Sequence, residues 1–284
     1  MTLLTSPAAA GLFVLALAFG ASAQDAKRGE YVSKAAGCLG CHTEEKKDAV
    51  PYAGGRALKT PFGTFYGPNI TPHKEAGIGA WSEADFVRAM REGRRPDGAN
   101  LFPAFPYPSF TRMSDGDLKD LWAYLRSLPA NAVPSRPHEL GFFYRWRFLV
   151  GIWKWFFFTP GPLVPDAAKS AVLNRGAYLV QALGHCGECH TPRNFLGAPK
   201  QSRFLAGAKL GETAVPNITP TRLKKLGDGE LKDILRTATT SDGDVLAESM
   251  SEVVRNTTSQ LTEQDLDAMI AYLRSLPALP DEGK

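Results

Sequence analysis

The sequence predicts an all-α protein in which two copies of one helical domain lie in tandem, joined by an aromatic-rich linker. The duplication is visible in the residues: 123–130 recur unchanged as 271–278, and the Pro-Asn-Ile-Thr-Pro string at 68–72 recurs at 216–220. Self-similarity at a period of about 148 residues indicates a repeated domain, since solenoid repeats are much shorter. The segments between these repeated strings either have apolar residues at helical spacing or are rich in Gly and Pro, which leaves little room for extended sheet.

The first 23 residues contain no Asp, Glu, Lys or Arg. An apolar run over 11–20 is followed by Ala21-Ser22-Ala23, a pattern that is typical of a secretory signal peptide with an Ala-x-Ala cleavage site. We expect residues 1–23 to be removed on export, with the break after Ala23. The alternative is an uncleaved membrane anchor, for which the apolar run is short.

Each domain, 24–130 and 171–284, is predicted to begin with an amphipathic helix that ends at a glycine, Gly37 in the first and Gly184 in the second. A second amphipathic helix follows in each copy after a long loop. The four helices are predicted over 26–36 and 82–92 in the first domain and over 174–183 and 229–237 in the second.

The last helix of each domain has the clearest boundaries. Ser114 and Thr262 each stand three residues before an aspartate, which is the capping-box pattern at a helix start. Apolar residues then recur at helical spacing, and Pro129 and Pro277 end the two helices. We expect the first and last helices of each copy to enclose the site that lies between them.

All four cysteines lie in two Cys-x-x-Cys-His motifs that follow the first helix of each domain. The pattern is typical of covalent haem attachment, because two thiols one helical turn apart can each form a thioether with a haem vinyl group. The adjacent histidine then binds the iron from the proximal side. The motifs predict two covalently bound haem c groups, held by Cys38, Cys41 and His42 in the first domain and by Cys186, Cys189 and His190 in the second.

Two other kinds of site share part of this pattern. A zinc site needs further ligands close by, such as a second cysteine pair, but the two pairs lie 148 residues apart. A redox dithiol is expected in a strand–helix–strand context, whereas the pattern of this sequence is helical. Zinc or dithiol chemistry is the alternative that these motifs leave.

Longer strings around the motifs resemble class I cytochrome c domains, and in particular the dihaem or trihaem cytochrome c subunits of periplasmic alcohol, sugar-acid and aldehyde dehydrogenases. The strings are Thr-Pro-Phe-Gly-Thr at 60–64, Pro-Asn-Ile-Thr-Pro at 68–72, Gly-Ile-Gly-Ala-Trp-Ser at 77–82, Phe-Val-Arg-Ala-Met-Arg-Glu-Gly at 86–93 and Gly-His-Cys-Gly-Glu-Cys-His-Thr-Pro-Arg-Asn at 184–194. The resemblance covers nearly all of the chain after residue 23. It implies a periplasmic electron carrier between a dehydrogenase catalytic subunit and a respiratory electron acceptor.

The resemblance also implies a methionine sulfur on the distal side of each iron, from the loop before the last helix. Met250 is the predicted ligand in the second domain. When the Asp-Gly turns of the two copies are aligned, Phe105 stands opposite Met250, and a phenyl ring cannot bind iron. Met113 is the remaining candidate for the first haem, although it aligns with Leu261 next to the last helix. The first iron is therefore ligated by Met113, ligated by another group, or open.

The linker, residues 131–170, has no counterpart at the ends of the repeat, and its centre at 142–158 holds three of the five tryptophans. Its three cations argue against a membrane-spanning helix, which would bury them at high cost. Two interpretations remain. The segment is either a strap whose rings fill the gap between the domains, or a surface that docks on a membrane or on a dehydrogenase.

The sequence predicts an electron-transfer subunit rather than a stand-alone enzyme, since no acid–base pair or nucleophile is evident. The rival is a haem enzyme whose open or unusually ligated first haem acts on thiosulfate or peroxide, and Phe105 is the residue that supports it. Nucleic acid is not an expected partner, because a net charge of +4 is small and dispersed and no basic aromatic platform occurs.

Overall fold

The computed structural model describes residues 24–281, so the predicted signal peptide at 1–23 lies outside the described residues. The described chain is mostly helical, as the sequence predicts. The helices of the first domain are α1 (Ala26–Ala35), α2 (Cys38–His42), α3 (Glu83–Glu92), α4 (Tyr107–Phe110) and α5 (Asp115–Ser127). The helices that follow are α6 (Arg147–Phe157) in the linker and α7 (Ala171–Tyr178), α8 (Gly187–His190), α9 (Pro220–Leu223), α10 (Asp228–Thr237), α11 (Glu248–Asn256) and α12 (Glu263–Ser275) in the second domain. A π-helical turn, Leu179–Leu183, continues α7.

Side-chain caps set where several helices begin. The Ser114 and Thr262 hydroxyls accept hydrogen bonds from backbone N–H groups in the first turns of α5 and α12, at 3.0 and 3.2 Å. A cap of this kind stabilises a helix by about 1 kcal/mol. The helix α7 begins three residues earlier than predicted, because the Ser170 hydroxyl caps the N–H of Leu173.

The first and last helices of each domain cross at a glycine. A Cβ atom on Gly29 of α1 would lie 1.9 Å from the carbonyl oxygen of Asp120 in α5. A Cβ atom on Gly176 of α7 would lie 1.9 Å from the carbonyl oxygen of Ala268 in α12. Both crossings therefore require a residue without a side chain, since such distances are far shorter than any van der Waals contact.

Short strands are present where the sequence predicts only loops. The strands β1 (Ala57–Thr60) and β2 (Gly63–Tyr66) form an antiparallel hairpin, and β3 (Glu139–Leu140) of the linker extends it. In the second domain β4 (Ala208–Leu210) and β5 (Thr213–Val215) form a two-stranded hairpin. Backbone groups in long loops still need hydrogen-bond partners, and pairing supplies them here. The all-α prediction is thus correct for the helices but misses two small sheets.

The aromatic linker contains a helix that the sequence analysis does not predict. Arg147 and Lys154 of α6 donate to backbone carbonyls of the first domain at 2.6 Å. Trp153 Nε1 donates to the carbonyl of Leu196 in the second domain at 3.0 Å. The linker therefore contacts both domains. None of the described helices, α6 included, is long and apolar enough to cross a membrane.

A reciprocal pair of hydrogen bonds joins the two domains. Tyr31 Oη of α1 donates to Asp265 Oδ2 of α12 at 2.6 Å, and Tyr178 Oη of α7 donates to Asp117 Oδ2 of α5 at 2.5 Å. Tyr31 Oη also accepts the backbone N–H of Thr262, the N-cap residue of α12. Tyr178 Oη likewise accepts the backbone N–H of Ser114, the N-cap residue of α5. Most of the buried apolar side chains of both domains form one continuous cluster, so the domains pack as one unit.

We expect Gly176→Ala to destabilise the haem-loaded protein, because overpacking at a close helix contact costs about 1–3 kcal/mol. The matched control is Gly229→Ala in α10, where an added Cβ would meet nothing within 4 Å. That exchange should stabilise the protein by about 0.5–1 kcal/mol. Denaturant unfolding measures both variants, and equal effects would contradict the close crossing of α7 and α12.

Tyr178→Phe should lower the free energy of unfolding by about 1.5–3 kcal/mol, since a hydrogen bond to a buried charged group is lost. Tyr31→Phe should act in the same way at the other half of the interface. The control is Tyr144→Phe, which alters a ring that is 51% exposed. If chemical denaturation gives all three variants the stability of the original protein, the interdomain hydrogen bonds do not stabilise the fold.

Candidate haem sites

The first Cys-x-x-Cys-His motif forms the separate helix α2 after α1. Gly37, with a φ of +64°, stands between these helices, in a backbone conformation that favours glycine. Within α2 the Cys38 and Cys41 thiols are one helical turn apart and lie on one face. His42 Nδ1 donates to the carbonyl of Pro68 at 2.7 Å. This bond leaves the Nε2 lone pair available to iron and orients the ring.

The second motif repeats this geometry. Cys186 is the N-cap residue of α8, and Cys189 follows one helical turn later. His190 Nδ1 donates to the carbonyl of Pro216 at 2.8 Å. Burial lowers the pKa of both motif histidines, so the neutral imidazole, which is the form that binds metals, prevails at neutral pH.

The repeated Pro-Asn-Ile-Thr-Pro string holds the acceptor of this hydrogen bond in place. Asn69 Nδ2 donates to the carbonyls of Asn131 and Val133, beyond the end of α5, at 2.9 and 2.8 Å. Asn217 Nδ2 donates to the carbonyl of Leu279, beyond the end of α12, at 2.8 Å. Each asparagine Oδ1 also accepts from the threonine two residues later. The string therefore links the proximal histidine to the segment that follows the last helix.

Cys38, Cys41 and Cys186 are half-buried, Cys189 is exposed, and the four thiols do not form a metal cluster. Burial raises the pKa of the Cys38 and Cys41 thiols to about 11 and that of the Cys186 thiol to about 12. A thiol of this kind is a weak redox nucleophile, because the thiolate is the reactive form. Within residues 24–281, no three or more His, Cys, Asp or Glu side chains come together as a metal site would need. The geometry thus gives no support to the zinc and dithiol alternatives.

Two buried polar atoms of the first domain have no hydrogen-bond partner among the described residues, Arg56 Nε and Tyr107 Oη. Leaving a buried donor unpaired costs about 1–3 kcal/mol, so both atoms suit an acceptor on a bound group. The propionate carboxylates of a haem are acceptors of this kind. Paired thiols, oriented neutral imidazoles and these unpaired donors together fit haem c.

The two motifs lie close together across the domain interface. Ser109 of α4 donates to Glu188 of α8 at 2.7 Å. Glu252 of α11 accepts from an arginine beside the first motif at 2.6 Å. Burial and the Glu252 charge raise the pKa of Cys41, and the Cys189 thiol lies near enough to add to this shift. Each haem-attachment helix therefore lies against a helix of the other domain, α2 against α11 and α8 against α4.

The two predicted methionine ligands lie in unlike places. Met250 is in the first turn of α11 and is half-buried. Met113 is fully buried in the continuous core cluster, and Phe105 is half-buried and packs against the same cluster. Both iron–methionine bonds stay predictions.

Sequence reasoning missed the residues that hold the two motifs at this interface. A signal was present, since an Arg-Gly-x-Tyr string recurs before both motifs, at 28–31 and 175–178. Each arginine pairs with an aspartate of its own domain, Asp117 at 2.5 Å and Asp265 at 2.6 Å. Each tyrosine reaches the corresponding aspartate of the other domain. The Arg-Gly-x-Tyr string therefore joins the first helix of each domain to the last helix of its own domain through the arginine, and to the last helix of the other domain through the tyrosine.

Comparison with known proteins agrees with this geometry. The family model described as cytochrome c matches twice, over residues 26–129 and 173–277. The chain is 41% identical over 261 residues to a dihaem cytochrome c-type protein of Cereibacter sphaeroides, which covers 90% of this chain and 87% of that protein.

Two other relatives are subunits of dehydrogenases. The chain is 42% identical over 263 residues to the fructose dehydrogenase cytochrome subunit of Gluconobacter japonicus, covering 90% of this chain and 54% of that subunit. It is 36% identical over 282 residues to the gluconate 2-dehydrogenase cytochrome c subunit of Pantoea cypripedii, covering 92% and 63%. The chain spans less than two thirds of either subunit. The double family match and the two motifs show that the chain belongs to the cytochrome c family, with two tandem domains that each bind one haem c covalently.

Proposed function

We propose that this chain is an exported dihaem cytochrome c that relays electrons from a dehydrogenase catalytic subunit to a respiratory electron acceptor. The observation that carries the proposal is the position of both haem-attachment helices at the interface between the domains. Haems held by these helices would both lie at this interface, which suits the passage of an electron from one domain to the other. The names of two relatives, cytochrome subunits of fructose and gluconate dehydrogenases, support a dehydrogenase as the donor.

The residues of the chain position the haems and set their properties. The bound haem supplies the one-electron chemistry. His42 and His190 would hold the irons, and the hydrogen bond from each Nδ1 to a proline carbonyl raises the basicity of the ligand. The Cys41 and Cys189 thioethers would fix one edge of each haem at the interface.

Export is part of the proposal. The predicted signal peptide at 1–23 supports it, and so does covalent haem attachment, which takes place on the exported side of bacterial membranes. A periplasmic location would place the chain beside both a dehydrogenase and a respiratory acceptor. The rival, a haem enzyme that acts on thiosulfate or peroxide, has less support, since the three relatives above are named as cytochromes or cytochrome subunits.

The segment 142–158 supports a further part of the proposal, association with a membrane surface. Its rings stand out from the protein, with Phe143 67%, Trp155 80% and Phe156 64% exposed. Exposed apolar patches of this kind mark interaction sites. Residues 140–165 contain no Asp or Glu, and the exposed Arg145 among these rings suits an anionic lipid surface. Tryptophan beside arginine and lysine suits the headgroup layer.

The relay predicts that a dehydrogenase substrate reduces both haems only when the matching catalytic subunit is present. Fructose, gluconate and ethanol are each added to membranes that hold the catalytic subunit but lack its cytochrome, together with the haem-loaded chain. We expect one substrate to reduce the added haem, measured as growth of the ferrous absorption band. Equal reduction without the catalytic subunit, or direct oxidation of thiosulfate by the chain alone, would contradict the relay.

Membrane association predicts that the chain floats with vesicles that contain phosphatidylglycerol. Replacing Trp155 and Phe156 by serine should weaken partitioning at least about tenfold, because each ring that enters the interface contributes on the order of 1.5–3 kcal/mol when fully buried. The control is Val50→Ser, which changes an exposed apolar residue outside the linker. Unchanged flotation of the double variant would rule out this surface, and a loss of dehydrogenase binding alone would assign it to the protein partner.

A further inference from the structure

The loop before the last helix is expected on the distal side of each haem. These two distal loops, residues 101–113 and 246–261, differ in length and in the side chains that they offer to iron. We propose that the first haem has no methionine ligand, and that its distal side binds small exogenous iron ligands of the carbon monoxide or nitric oxide class. Met250 supplies a thioether to the second haem only. The inference goes beyond the electron relay and does not depend on which donor the chain serves.

Both distal loops begin with the same backbone hydrogen bond. The N–H of Leu101 donates to the carbonyl of the residue that follows α3 at 2.7 Å, and the N–H of Leu246 donates to the carbonyl of the residue that follows α10 at 2.8 Å. Four residues further along stand Phe105 and Met250. The two side chains therefore belong to matching positions, and a phenyl ring carries no lone pair for iron.

Both loops also end with the same backbone hydrogen bond, just before the N-cap of the last helix. The N–H of Met113 donates to the carbonyl of Phe110 at 3.0 Å, and the N–H of Leu261 donates to the carbonyl of Thr258 at 3.2 Å. Met113 and Leu261 each directly precede the N-cap of the last helix and are 0% and 5% exposed. Because leucine cannot bind iron, this is a core position in the second domain, and Met113 fills it in the first.

The domain interface holds Met113 in this core position. The N–H of Ser114, its neighbour, donates to Tyr178 Oη at 3.0 Å, just as the N–H of Thr262 donates to Tyr31 Oη at 3.2 Å. Moving the Met113 sulfur to an iron would disturb this hydrogen bond and leave a cavity in the core, which packed interiors resist. The second domain keeps the same contact with a leucine in place.

The distal loop of the first domain is also too short to adopt the structure of the distal loop of the second domain. The stretch from Leu101 to Met113 is three residues shorter than that from Leu246 to Leu261. Its helix α4 has four residues where α11 has nine. Tyr107, in α4, is fully buried with a hydroxyl that has no partner among the described residues, so the shortened loop keeps an unpaired donor for a bound group.

The other side chains of the first domain and linker with a suitable donor atom have structural partners. His73 Nδ1 and His138 Nδ1 each accept a backbone N–H at 3.1 Å. Met90 is 4% exposed in the core side of α3. Lys154 Nζ donates to three oxygen atoms within 2.9 Å. In the described part of these regions, none of these four side chains is therefore placed to reach the first iron.

The test uses the full haem-loaded chain, carbon monoxide and optical spectroscopy. We expect carbon monoxide to bind half of the ferrous haem. The ferric protein should show a methionine–iron band, at the red end of the visible spectrum, that accounts for one haem. Met113→Leu, which copies Leu261, should change neither result. Met250→Leu should remove the band and let carbon monoxide bind all of the haem.

Two outcomes would overturn the proposal. One is a wild-type ferrous protein that binds no carbon monoxide, and the other is a Met113→Leu protein that loses a methionine band and gains a carbon monoxide site. Phe105→Met should add a second band and abolish carbon monoxide binding, and a folded variant that still binds the gas would contradict the matching of Phe105 with Met250. None of these readouts involves a dehydrogenase, so they stay distinct from a failure of the relay.

Discussion

Each domain depends on the approach of a glycine in its first helix to the backbone of its last helix. Gly29 and Gly176 have no Cβ, and any side chain there would overlap a carbonyl oxygen of α5 or α12. The crossing sets how α1 and α7 lie against α5 and α12, and a haem-attachment helix follows each of them along the chain. The proximal histidines, and so the irons, are positioned by this contact together with the Pro-Asn-Ile-Thr-Pro loops.

The same crossing prepares the interface between the domains. Asp265, at the start of α12, accepts from Arg175 of its own domain and from Tyr31 of the other, and Asp117 has the same double role in α5. Burial alone would raise the pKa of Asp265, but the hydrogen bonds from Arg175 and Tyr31 lower it below its usual value. The carboxylate therefore stays charged at neutral pH, and its contribution is lost only as the pH falls through this lowered pKa.

Signals between neighbours in sequence predict three helices in each domain and both haem motifs, but not α4, α6, α9 or α11. Ser114 and Thr262 mark helix starts, and the attachment chemistry lies within five consecutive residues of each copy. The strand β3 and the helix α6 escape prediction because distant contacts stabilise them: β3 pairs with β2, and Arg147 and Lys154 of α6 donate to carbonyls of the first domain. The Tyr31–Asp265 hydrogen bond spans 234 residues, beyond the reach of any local pattern.

The proposed difference between the distal loops would favour electron transfer in one direction between the two domains. A thioether ligand raises the potential of a haem relative to an iron that lacks one. If, as proposed, Met250 binds the second iron and Phe105 stands at the matching position in the first domain, the second haem would have the higher potential. An electron that enters at the first domain would then move downhill to the second. Duplication supplies a haem site in each domain, and in this proposal the shortening of one loop by three residues would make the exchange between them directional.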